Sequence, residues 1–161
     1  MLDDVAARLE RAYSRQVRCV VGDLGTAETI QTVVDETSGL DLGLVVYNAA
    51  YAPLGPFADI ELERTEQAVT VNILGPTRLL HAVLPALRSR TSAGIVLMSS
   101  LAGETGGPGL AAYSATKAFT TIFGQSLWRE LREEGVDVTV CVAGATRTPG
   151  LAGASGGAAS R

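Results

Sequence analysis

Ile95-Val96-Leu97-Met98-Ser99-Ser100 and, thirteen residues after its last serine, Tyr113-Ser114-Ala115-Thr116-Lys117 decide how this chain reads. The first stretch is a continuous apolar run that ends in two hydroxyls, the pattern of a buried strand over Ile95–Ser99. The second opens a region, Leu110–Glu134, whose apolar residues recur at helical spacing. On that helix Tyr113 and Lys117 lie one turn apart and share a face. Lys117 is the only lysine among 161 residues, against twelve arginines. An ammonium is a compact point charge on a flexible stem, and a guanidinium fork cannot replace it in a small site. A lysine held there stabilises a phenolate and brings a hydroxyl that ordinarily titrates at about 10 into acid/base range at neutral pH. Taken singly, the Tyr/Lys pair also fits a plain surface pair, and Ser99-Ser100 also fits a strand-end turn.

Working outward, the chain alternates helical and strand-like periods. Leu2, Val5, Ala6, Leu9 and Tyr13 recur at helical spacing, and Val17–Val21 is a short apolar strand closed by Gly22-Asp23. Ala27–Thr37 is a helix with Thr26 as its N-cap. Leu42–Tyr47 reads as a fully buried strand. Leu62–Arg88 is a long helical stretch interrupted near Gly75-Pro76, and Val136–Val142 is a last strand. Apolar strands alternating with helices indicate an α/β fold, a parallel sheet covered on both faces. Residues 1–149 are expected to form a single domain, and the Gly/Ala-rich stretch 150–161 a flexible tail.

The bulk properties exclude several classes. Apolar residues make up 47% and charged residues 19%, the balance of a chain with a substantial core. The net charge of -4 and the absence of a basic run argue against nucleic acid and anionic membrane as partners. No apolar run reaches the roughly 18 residues of a membrane span. Cys19 and Cys141 fall inside apolar runs and read as buried thiols of a cytoplasmic protein. A single histidine, His81, and no Cys/His cluster argue against a transition-metal site.

Five motifs in order carry a resemblance: Val45-Val46-Tyr47-Asn48-Ala49-Ala50, Asn72-Ile73-Leu74-Gly75, Ser99-Ser100, Tyr113-Ser114-Ala115-Thr116-Lys117 and Ala143-Gly144 with Thr148. Together, over about Leu2 to Thr148, the chain resembles the short-chain dehydrogenase/reductase family. The resemblance implies a Rossmann-like fold and hydride transfer between NAD or NADP and a carbonyl or secondary alcohol. Tyr113 would be the acid/base at the substrate oxygen, Lys117 would bind the nicotinamide ribose, Ser100 would hold the reacting oxygen, and Asn72 would hold a relay water. Asp23, Asn48, Ala49 and Thr148 would face the cofactor along with Tyr113 and Lys117. Asp23 equally fits a turn or N-cap residue ahead of the next helix. Pro76 lacks an N–H, so the Asn72 carbonyl four residues earlier loses its α-helical donor, which makes a water site there natural.

Two departures stand out. Alanine replaces the glycine of the family's Asn-Ala-Gly, and Tyr47 replaces an asparagine before it. The glycine-rich strand–turn–helix that cradles a pyrophosphate is also missing. Aligned on the motifs, Met1 falls in the helix after the family's second strand, and Thr148 precedes the lid and final strand. The expectation is therefore a partial Rossmann-like sheet, trimmed at both ends. Removing two strands would leave a gap of roughly 10–15 Å between 17–21 and 42–47. The core is then 42–47, 95–99 and 136–142, with 17–21 either detached or moved in beside 42–47. The resemblance also implies a homodimer through helices 62–88 and 110–134. The rivals are an inactive fragment acting as a binding or dimerisation partner, and epimerase or dehydratase chemistry on the same pair.

Overall fold

A computed structural model describes residues 2–145; Thr148 and the stretch 150–161 lie outside the described residues. Helix α1 (Leu2–Tyr13) is followed by an irregular segment and α2 (Ala27–Thr37), then strand β1 (Leu44–Tyr47). Helix α3 (Leu62–Val69) runs through a π-turn (Thr70–Leu74) into α4 (Gly75–Arg88), and β2 (Ala93–Ser100) follows. A single turn, α5 (Ala102–Thr105), precedes the long α6 (Ala111–Leu131), which a 3-10 turn joins to β3 (Val136–Ala143). The three strands are all parallel in the order β1-β2-β3, with Val45 opposite Ile95 and Ile95 opposite Val138. This is the three-strand core expected from the sequence.

Among the described residues the sheet is covered on one face, where the sequence suggested two. Val45, Tyr47, Ile95, Leu97, Val136 and Val138 are buried together against α4 and α6. Their alternates face outward: Leu44 is 57% and Val46 54% exposed, and Asp137, Thr139 and Cys141 are exposed as well. The period of two along each strand therefore separates a packed face from a bare one. Leu87 and Val136 are fully buried at the packed face; burying each such side chain contributes about 1.5–3 kcal/mol. Gly124 lets α6 approach β3 closely, because a side chain there would run into Val140.

Val17–Val21 forms no strand. A strand is stable only when a neighbour completes its ladder, and no described strand lies beside this one. The segment is held instead by side chains: Glu10 accepts from the Val17 N–H at 3.0 Å, and Arg18 donates to the Glu36 carbonyl at 3.1 Å. Val21 is left 84% exposed. Cys19 and Cys141 are both exposed free thiols, which corrects the expectation of buried ones. Cys19 is exposed because its strand has no sheet, and Cys141 because it lies on the bare face. Helix α1 likewise has no buried residue, so its apolar stripe is unpartnered among the described residues.

Other local signals map directly. Thr26 caps α2, its hydroxyl accepting from the Thr29 N–H at 3.2 Å, a contact of about 0.5–2 kcal/mol. The interruption read at Gly75-Pro76 is a π-turn that starts five residues earlier, at Thr70. Pro76 sits in the first turn of α4, where its missing N–H is tolerated.

Candidate active site

The C-terminal ends of β1 and β2 and the first two turns of α6 meet at Lys117. Its ammonium is buried, donates to the Met98 carbonyl at 2.7 Å, and lies 5.7 Å from the centre of the Tyr113 ring. Burial lowers the Lys117 pKa, because water no longer stabilises the charged form. The helix spacing of four residues is what brings the pair together. Tyr113 is half-buried, and its hydroxyl has no hydrogen-bond partner among the described residues. A phenol left open beside a charged ammonium is a proton donor available to a ligand.

Asn72 ties three elements to this point. Its side-chain oxygen accepts from the Tyr51 N–H at 2.8 Å, and its amide nitrogen donates to the Tyr51 carbonyl at 2.8 Å and to Thr116 Oγ1 at 2.9 Å. Thr116 in turn donates to the Tyr113 carbonyl at 2.8 Å. The loop after β1, the π-turn and the Tyr/Lys turn of α6 are thus joined by one chain of bonds, each polarising the next. Asn72 is only 3% exposed, and its amide is fully engaged with protein groups.

Ser100 stands two residues past Met98 at the end of β2, and its hydroxyl accepts from the Ala102 N–H at 3.2 Å. It therefore makes a strand-end turn and keeps its own hydrogen for another partner. Gly103 packs directly on α6: a Cβ at this position would lie 2.7 Å from the Lys117 carbonyl carbon and the Ala118 nitrogen. That close approach fixes the Ser100 loop against the Lys117 turn.

On the cofactor side, Ala49 joins Asn72 and Lys117 in lining a small cavity of about 10 Å³, while Asn48 is exposed at the end of β1. Asp23 is exposed and makes a turn, its carboxylate accepting from the Gly25 N–H at 2.8 Å. Thr148 lies outside the described residues. Lys117 has three donor hydrogens and spends one on Met98, so it fits a pair of vicinal ribose hydroxyls. The pyrophosphate side does not fit: among the described residues, no glycine-rich turn opens a helix beside β1.

Three residues with no assigned role in the sequence reading hold the site. Ser99 bonds the Lys117 carbonyl and Thr121 Oγ1, both at 2.8 Å, and so pins α6 to β2. Thr116 receives Asn72. Tyr47, noted only as a replacement, donates to the Val71 carbonyl at 2.7 Å. The one signal for the first two is a hydroxyl where helix and strand periodicity call for an apolar side chain.

Comparison with known proteins places this geometry in context. Residues 1–156 match the family described as short chain dehydrogenase. A 7beta-hydroxysteroid dehydrogenase of Clostridium sardiniense is 27% identical over 148 residues, 92% of this chain and 57% of that protein. A very-long-chain 3-oxoacyl-CoA reductase of Anas platyrhynchos is 31% identical over 142 residues, 85% of this chain and 46% of that protein. The structure of a short-chain dehydrogenase from Sphingobium yanoikuyae in complex with NADPH superposes with a TM-score of 0.88 at 32% identity, covering 94% of this chain and 60% of the other. The chain thus spans about half of the length of the relatives it matches.

Proposed function

The chain belongs to the short chain dehydrogenase family, and on that premise we propose that it serves reduction of a carbonyl, or oxidation of a secondary alcohol, with NAD or NADP. The observation that carries this reading is the open Tyr113 hydroxyl beside a buried Lys117 ammonium. NAD(P), when bound, supplies or takes up the hydride. Tyr113 gives its proton to the carbonyl oxygen as that oxygen gains charge, or takes it back in the reverse direction. Lys117 stabilises the resulting phenolate and holds the ribose. Ser100 donates its hydroxyl hydrogen to the same substrate oxygen, and Asn72 keeps the Tyr113–Lys117 turn in place. Asn48, Ala49 and Thr148 complete the nicotinamide side, with Asp23 toward the adenine. The substrate class is a small carbonyl or alcohol.

A fluorescence titration with NADH and NADPH tests the reading. Saturable binding at micromolar cofactor is expected. No binding up to millimolar cofactor would instead support a non-catalytic binding or dimerisation partner.

The same reading includes a homodimer through α3–α4 and α6. In support, an apolar cavity of about 150 Å³ opens between α4 and α6, lined by Leu80, Leu84, Phe123 and Leu127. Elsewhere on α6, Ile122 is 62% and Trp128 41% exposed. Sedimentation at micromolar concentration is expected to give twice the chain mass; a monomer throughout that range would refute the dimer. We place the protein in the cytoplasm, since two exposed free thiols persist in a reducing compartment.

A further inference from the structure

The π-turn between α3 and α4 creates a carbonyl that the helix itself cannot satisfy. The Gly75 N–H bonds the Thr70 carbonyl, five residues back. It is therefore not given to Val71, the residue it would serve in an α-helix. In the wider register of the π-turn, the donor for Val71 would be residue 76, which is proline and has no N–H. Val71 is buried at 8% exposure, so water is a poor substitute. The Tyr47 hydroxyl, reaching from the end of β1, makes this bond at 2.7 Å.

The space for that hydroxyl is built in. A Cβ at Gly75 would overlap the Tyr47 hydroxyl oxygen and crowd the Leu24 carbonyl, so only glycine admits the phenol. Tyr47 is 5% exposed, and burial, with the Asp23 carboxylate second, pushes its own pKa up to about 12. The phenol therefore stays protonated, as a permanent donor, across the physiological range. Residue 72, next after the clamped carbonyl, is the asparagine that holds Tyr51 and Thr116. Tyr47, Asn72 and Lys117 also share the walls of one cavity of about 10 Å³, which no carboxylate lines.

We infer that Tyr47 is a positioning residue: its bond to the Val71 carbonyl holds the π-turn in register and so sets Asn72 against the Lys117-bearing turn of α6. This rests on the reading of Lys117 as the functional lysine, but its test needs neither cofactor nor substrate. Because Lys117 is the only lysine, protein labelled with 13C at lysine Cε gives a single side-chain resonance whose titration reports this one group. In Tyr47→Phe the turn loosens and water reaches the cavity. The Lys117 midpoint then rises by about half a pH unit toward its ordinary value, and the Tyr51 amide exchanges about tenfold faster. Thr116→Val breaks the last link and should move Lys117 in the same direction, with the double variant no further displaced than either single one. Gly75→Ala, which displaces the hydroxyl without deleting it, must reproduce both shifts, and it carries the test alone if Tyr47→Phe does not fold. Leu87→Ala, a core change remote from the turn, should lower stability and leave the Lys117 midpoint in place. An unmoved Lys117 resonance in Tyr47→Phe, or additive effects with Thr116→Val, would overturn the proposal. Cofactor binding with an unmoved resonance would retire the clamp alone. A moved resonance without cofactor binding would retire the oxidoreductase reading and keep the clamp.

Discussion

Tyr113→Phe is expected to abolish NAD(P)H-dependent carbonyl reduction, lowering kcat by about 10²–10⁴-fold, the usual contribution of a positioned acid/base. The substitution removes one oxygen whose hydroxyl has no protein partner among the described residues, so the folded state loses no bond there. The ring keeps its place beside the Lys117 ammonium, 5.7 Å from the ring centre. Cofactor affinity should therefore change little, and stability should stay within about 0.5 kcal/mol. The measurement is a steady-state assay paired with thermal unfolding. Retained turnover with intact folding would move the acid/base role to another group and sink the assignment of Tyr113.

Lys117→Met is expected to move activity and stability in opposite directions. Loss of the ammonium removes both the charge beside Tyr113 and the donors for a ribose, so turnover should fall by at least about 100-fold. Folding, in contrast, should become easier. The lysine stem packs in the interior, a methionine fills much the same volume, and the penalty for burying a charge disappears. The pH dependence carries the sign of this penalty. Burial lowers the folded-state pKa of Lys117 below its unfolded value of 10.5. Between those two values the unfolded chain binds more protons than the folded one, so stability rises with pH through that window and is fully gained above the unfolded value. Lys117→Met should flatten this rise. Denaturant unfolding across the alkaline range reads it directly. An equally steep rise in the variant would show that another group is responsible.

What was legible in the sequence was local. The Tyr113–Lys117 pair needs only the geometry of one helical turn, and the Thr26 cap only three residues of chain; both are where the pattern placed them. The three strands that pair were also recoverable, because each is an apolar run between helices. Val17–Val21 has the same local pattern and forms no strand. Strand formation depends on a neighbour supplied from elsewhere, which the segment itself does not encode. The bare sheet face has the same origin, since α1 carries an apolar stripe yet is not seated on it. Tyr47 was the least visible. Its role follows from a π-turn 24 residues away, and the proline that deprives Val71 of a donor was read against Asn72 in an ordinary helical register.

A chain with one interior lysine is also nearly blind to amine chemistry. Within these residues, ester-activated dyes, acylating agents and amine-reactive cross-linkers find a single ε-amino group, on a residue only 4% exposed. A test of the proposed dimer by cross-linking is thus better made through Cys19 and Cys141, both exposed thiols. Acylation then reads a single side-chain ammonium, that of Lys117 beside Tyr113, so its rate reports directly on the candidate site.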